Sequence, residues 1–71
     1  MEGVVYKGQL TYLDTKGGRI EITSRTDGEG RCLDIDSNTE LPQQSTWEDL
    51  LGRDVEAVAI DGKVKSIRLL I

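Results

Sequence analysis

Asp34, Asp36, Asn38 and Glu40 stand at alternate positions, four oxygen donors in the spacing with which a calcium loop begins. The match fails where the ion's geometry is strictest: the sixth position is Thr39 instead of glycine, and the twelfth is Ser45 instead of a bidentate glutamate. Strand-end and turn carboxylates exposed to water account for the pattern better. Cys32 follows Arg31, and a neighbouring guanidinium lowers a thiol pKa, yet the chain has no histidine to act as its base. Glu21 and Asp34 could form an acid and base pair across two strands, but an open sheet face does not desolvate them. Gly17-Gly18 and Gly28-Glu29-Gly30 lack the lysine and the following helix of a phosphate-binding loop and read as hairpin glycines. No nucleophile, base or ligand set emerges, so the expectation is a protein without enzymatic activity, cofactor or metal.

Binding chemistry is better represented. Lys7, Arg19 and Arg25, with Gln9, Thr11 and Thr23 between them, form an outward row on the first strands that could follow a single-stranded nucleic acid. Two features oppose it. The net charge is −4, which disfavours affinity drawn from phosphate neutralisation, and Tyr6 and Tyr12 share the parity of Leu10, which assigns them to the core instead of to base stacking. The other candidate surface is apolar. Val55, Val58, Val64, Ile67, Leu69, Leu70 and Ile71 cannot all face one core if they lie on two adjacent strands. Either a bulge reconciles them, or this edge meets a second copy of the chain.

The elements that must position these groups follow from periodicity. Val4 to Leu13 carries Val4, Tyr6, Leu10 and Tyr12 at even positions, the period of a half-buried strand, and Gly8 marks a bend that lets one strand serve two sides of a small barrel. Arg19 to Arg25 and Glu29 to Asp36 flank Asp27-Gly28, a two-residue type I′ turn signal. Centred there, the register sets Ile22 opposite Leu33, Ile20 opposite Ile35 and Arg19 opposite Asp36, with Leu10 against Ile22 and Tyr12 against Ile20. It also leaves Glu21 beside Asp34, a like-charge pair. The polar stretch from Ser37 to Gln44 connects to a helix from Ser45 to Gly52, with Ser45 and Glu48 as a capping box, Gly52 as the left-handed stop and Trp47, Leu50 and Leu51 on one apolar side. So short a helix must plug something to persist. Arg53 to Ile60 and Lys63 to Ile71 then flank Asp61-Gly62, a second hairpin. A three-residue loop there pairs Val58 with Val64 and Val55 with Ile67 on opposite faces of the ribbon.

Three meandering strands, a short helix and a hairpin make an all-β protein with one helix. This order resembles the OB-fold, a small five-stranded barrel, β1-β2-β3-α-β4-β5, with a plug between the third and fourth strands. The run from Asp34 to Leu41, followed by Asp49 to Glu56 and Asp61 to Val64, is similar to bacterial OB-like domains of unassigned function. An SH3-like barrel of the same size is the alternative. The 71 residues make one domain, 1–71, whose thin core favours association. No run of about 18 apolar residues suits a membrane span, and Met1-Glu2-Gly3 begins neither a basic nor an apolar leader, so a cytoplasmic location is expected. The functional expectation is a protein-interaction module that self-associates through its C-terminal hairpin, a homo-oligomer whose other protein partners are unspecified. Single-stranded nucleic-acid binding by the outward face of strands one to three is the rival.

Overall fold

The computed structural model describes residues 3–70. Its strands are β1 (Val4–Asp14), β2 (Arg19–Thr23), β3 (Gly30–Glu40), β4 (Asp54–Ile60) and β5 (Lys63–Leu69), with the helix α1 (Trp47–Leu50) between β3 and β4. They close a barrel in the order β1-β2-β3-β5-β4. Every neighbouring pair is antiparallel except β3 with β5. This is the OB arrangement, so the SH3-like alternative is set aside.

Closure depends on two eleven-residue strands that change partners midway. β1 pairs with β4 from Val4 to Gln9 and with β2 from Gln9 to Asp14. Gly8 lies at the crossing, where a Cβ would sit 2.2 Å from the Thr23 carbonyl oxygen. Only a hydrogen fits. β3 leaves β2 at Asp34 and Ile35, whose amides donate to the Gly62 and Gly18 carbonyls at 2.8 and 2.7 Å. Beyond that point Thr39 completes the ladder with its side chain: its hydroxyl is 2.6 Å from the Val64 carbonyl and accepts from the Asp36 amide at 3.1 Å.

Three expectations from the sequence need correction. First, the β1–β2 register is as predicted at Leu10 and Ile22 but slips after it, because Thr11 is a bulge that sets Tyr12 opposite Glu21 and Leu13 opposite Ile20. Tyr12 therefore turns outward, 48% exposed, instead of entering the core. Second, the β2–β3 connection is a longer loop. Asp27 does not take the positive φ that a type I′ turn requires; its carboxylate accepts from the Glu29 amide at 2.9 Å, and the Ser24 backbone amide donates to the Glu29 carbonyl at 2.9 Å. Ile20 consequently faces Leu33, Ile22 faces Arg31 and Arg19 faces Asp34, a shift of two that preserves which residues point inward. The shift also removes the like-charge contact: Glu21 lies opposite Cys32, and Arg19 approaches Asp34 at 3.8 Å. Third, α1 begins one residue later than Ser45 suggests. Thr46 is the N-cap, and its amide donates to Asp49 Oδ2 at 3.0 Å. Leu50 is fully buried, Trp47 is half-buried against the core, and Leu51 is 48% exposed, so the plug is Leu50 more than Trp47.

The C-terminal hairpin resolves its conflict of faces by bulging. Asp61 and Gly62 both have positive φ, 54° and 78°, which makes a two-residue turn pairing Ile60 with Lys63. The register then shifts at Lys65, the extra residue, so that Ala59 faces Val64, Val58 faces Ser66 and Ala57 faces Ile67. Val64 and Ile67 thereby reach the same core as Val55.

Candidate functional site

Of the seven residues expected at a self-association edge, Val55, Val64 and Ile67 are buried in the barrel core, Ile67 alone reaching the floor of a surface groove. The bulge at Lys65 accounts for this, since it turns both strands' large apolar groups inward. Val58, Leu69 and Leu70 are half-buried, and Ile71 lies outside the described residues. What remains on the outside is smaller and includes residues the sequence pattern did not single out. Val5, 53% exposed, lies directly opposite Val58 on the outer face of β1 and β4. From Val58 a groove of about 420 Å³ runs between Ser66 and the Leu41-Pro42 segment that follows β3. Only the barrel's curvature brings Leu41-Pro42 beside Val58; their sequence separation gave no signal.

Charged side chains border this groove. Arg68 Nε donates to Glu56 Oε1 at 2.6 Å, and Lys7 Nζ is 3.6 Å from Glu56 Oε2. The Arg68 hydrogen bond holds the Glu56 carboxyl below its usual range, with Lys7 adding to the effect. Asp36 is lowered likewise, first by Lys65 Nζ at 2.6 Å and then by the Asn38 amide at 3.0 Å, and Asp27 by the Glu29 amide. Folded-state values below the unfolded ones stabilise the fold at pH values above the unfolded carboxylate range near ~4. That contribution is lost as pH falls through the folded values. The urea midpoint is therefore expected to stay level from pH 7 to about 5 and to decline below about pH 4, with Glu56→Gln flattening the decline. A midpoint that rises on acidification contradicts these pairings.

The three cations proposed for nucleic acid do not form a continuous row. Arg19 lies at the opposite end of β2 from Thr23, and Asp34 is its neighbour. Arg25 donates through Nε to Asp54 Oδ1 at 2.8 Å. Lys7 and Arg25, by contrast, share one cavity of about 330 Å³ with Gly8, Thr26, Asp54 and Leu70. The aromatic group that the sequence reading lacked is present, since Tyr12 stands on the outer sheet face opposite Glu21. Two carboxylates of the calcium-like run have partners within the protein: Asp34 lies 3.8 Å from Arg19, and Asp36 accepts from Lys65 and the Asn38 backbone amide. Among the described residues there is no group of three or more Cys, Asp or Glu placed to hold a metal ion. Cys32 is exposed on the outer side of β3.

No protein-family model matches this chain, and no curated protein does. Solved structures do. The barrel superposes on silver-loaded CusF with a TM-score of 0.74 at 11% identity, covering 99% of this chain and 100% of that one. A second silver-bound CusF, from Escherichia coli, gives 0.72 at 11% identity over 99% and 94% of the two chains. The apo form from the same organism gives 0.62 at 15% identity over 99% and 92%. At these identities the likeness establishes the barrel and nothing about its ligand.

Proposed function

We propose that this chain is a non-enzymatic interaction module whose protein partner docks on the outer face of β4 and β5, and that a second copy of the chain fits that face. The observation that carries the reading is Val5 set opposite Val58, continuous with the groove beside Leu41 and Pro42. An apolar centre with Lys7, Glu56 and Arg68 at its rim has the anatomy of a protein interface. Because the rim carries both signs, two copies related by a twofold axis can set Arg68 of each against Glu56 of the other. Their shared net charge of −4 resides largely elsewhere. The silver named with the CusF structures is not carried over. This chain has no histidine, one cysteine and one methionine at position 1, whereas soft ions are held by sets of such donors.

Sedimentation velocity over a wide concentration range tests the proposal. The mass is expected to rise from 7.9 kDa toward twice that value, and Val5→Glu, an exposed site, is expected to hold the protein monomeric. A wild-type protein that stays monomeric throughout removes the second copy as partner. Outward Tyr12 favours a second reading, single-stranded nucleic-acid binding, in which the ring stacks on a base. That reading requires anisotropy of a labelled oligonucleotide to rise at low salt, fall steeply with added salt, and be lost in Tyr12→Ala.

A further inference from the structure

The cavity holding Lys7 and Arg25 sits against a strand edge with no neighbour. β1 begins to pair with β2 only at Gln9, while its first half pairs with β4 alone. Leu10 exchanges backbone hydrogen bonds with Gly52 and Arg53, on the β4 side. Backbone groups alternate between the two edges of a strand, so those of Lys7 and Val5 face the other way, into the groove below the β2–β3 loop. A second cavity of about 190 Å³ extends the groove along this edge past Val5 and Tyr6 to Asp27, Glu29 and Arg31, the last two paired at 3.1 Å, and Lys7 lines both cavities.

We propose that this cavity binds a carboxylate bearing an apolar substituent, presented by a free acid or by the C-terminus of an extended peptide. Arg25 spends only Nε on Asp54, and its two terminal nitrogens have no hydrogen-bond partner among the described residues. They are the fork that suits a carboxylate. Lys7 Nζ stands 3.6 Å from Glu56, an ion pair longer than a hydrogen bond, so its donors are available too. Lys7, Arg25 and Arg68 stand against the two carboxylates of Asp54 and Glu56 and leave one positive charge, the complement of a monoanion. A phosphate dianion would bring its second charge against Asp54. Leu70, following β5, supplies the apolar wall, and about 330 Å³ falls within the size of small-ligand sites. The open edge of β1 can pair with a peptide backbone as an added strand. This proposal rests on a different cavity from the self-association reading and shares Lys7 and, along the strand edge, Val5 with it.

Titrations followed by ¹⁵N–¹H correlation spectra test it with four probes: hexanoate, hexanol, and acetyl-Ala-Thr-Val-Leu with a free or an amidated C-terminus. Saturable shifts are expected at the Gly8, Thr26 and Leu70 amides with hexanoate and with the acid peptide, and with neither hexanol nor the amide. Arg25→Gln and Lys7→Gln, both at exposed positions, are expected to weaken binding at least tenfold while leaving the rest of the spectrum in place. If the acid peptide binds at least tenfold more tightly than hexanoate and also shifts Val5 and Lys7, the peptide is the source; similar affinities identify the free acid. Absence of saturable shifts, equal binding of the amide or hexanol, tighter binding of inorganic phosphate, or unchanged affinity in both variants overturns the proposal.

Discussion

Gly8→Ala is expected to cost about 3 kcal/mol, a large part of the stability of so small a domain. The added Cβ would lie 2.2 Å from the Thr23 carbonyl oxygen, 2.7 Å from its carbon and 3.1 Å from the Ser24 Cα. All three atoms are backbone, so no side chain can swing aside. Relief requires β1 to move away from β2 by about 1 Å, against the close-packed tolerance of folded interiors. That movement opens the Gln9–Thr23 end of the ladder. Overpacking usually costs about 1–3 kcal/mol, and a contact with two strands' backbones belongs at the top of that range. A domain of this size has roughly 4–10 kcal/mol to lose, and small cores sit at the lower end. Gly28→Ala is the matched control: its Cβ meets nothing within 4 Å, but φ is +74°, so only the left-handed strain of about 1 kcal/mol applies. Urea denaturation followed by Trp47 fluorescence separates the two. Equal midpoints for both variants would refute the crossing at Gly8.

Leu50→Ala is expected to cost about 3 kcal/mol, within the range for buried leucine truncations. Leu50 has no exposed surface and belongs to the core cluster of Leu10, Ile20, Ile22 and Val55. The cavity cannot close by letting the helix sink inward. The Gly52 amide is tied to the Leu10 carbonyl at 2.8 Å, and the Leu10 amide to the Arg53 carbonyl at 3.0 Å, which fixes the chain on the far side of the helix. Leu51→Ala removes the same atoms from a side chain that is half exposed, and a change within about 0.5 kcal/mol is expected there. A Leu51→Ala variant less stable than Leu50→Ala would mean the helix turns its other side to the barrel.

These two positions also shape the two surfaces proposed above for binding. The crossing at Gly8 releases β1 from β2 early and so leaves the edge that borders the Lys7 and Arg25 cavity. The helix and its connector carry the chain past β5, placing Leu41 and Pro42 beside Val58. Both surfaces offer charge and apolar contact, the means of recognition.

Alternation at period two was enough to place Ile20, Ile22 and Leu33 on the inside, and it remained correct through a two-residue error in register because such a shift keeps parity. Asp61-Gly62 likewise identified its turn, since both residues tolerate the positive φ they adopt. The bulge at Thr11 was not legible, and the one in the C-terminal hairpin was legible only as a conflict of faces that a bulge would reconcile, without its position at Lys65: a bulge is one extra residue with no compositional mark, and it inverts the facing of everything beyond it. It moved Tyr12 out of the core, and it drew Val64 and Ile67 into line with Val55 and away from a supposed interface. The meeting of Lys7 with Arg25, eighteen residues apart in the sequence, arises from barrel closure. Local pattern fixes which side of a strand a residue occupies, whereas contact between distant segments depends on how the strands curve and where they change partners.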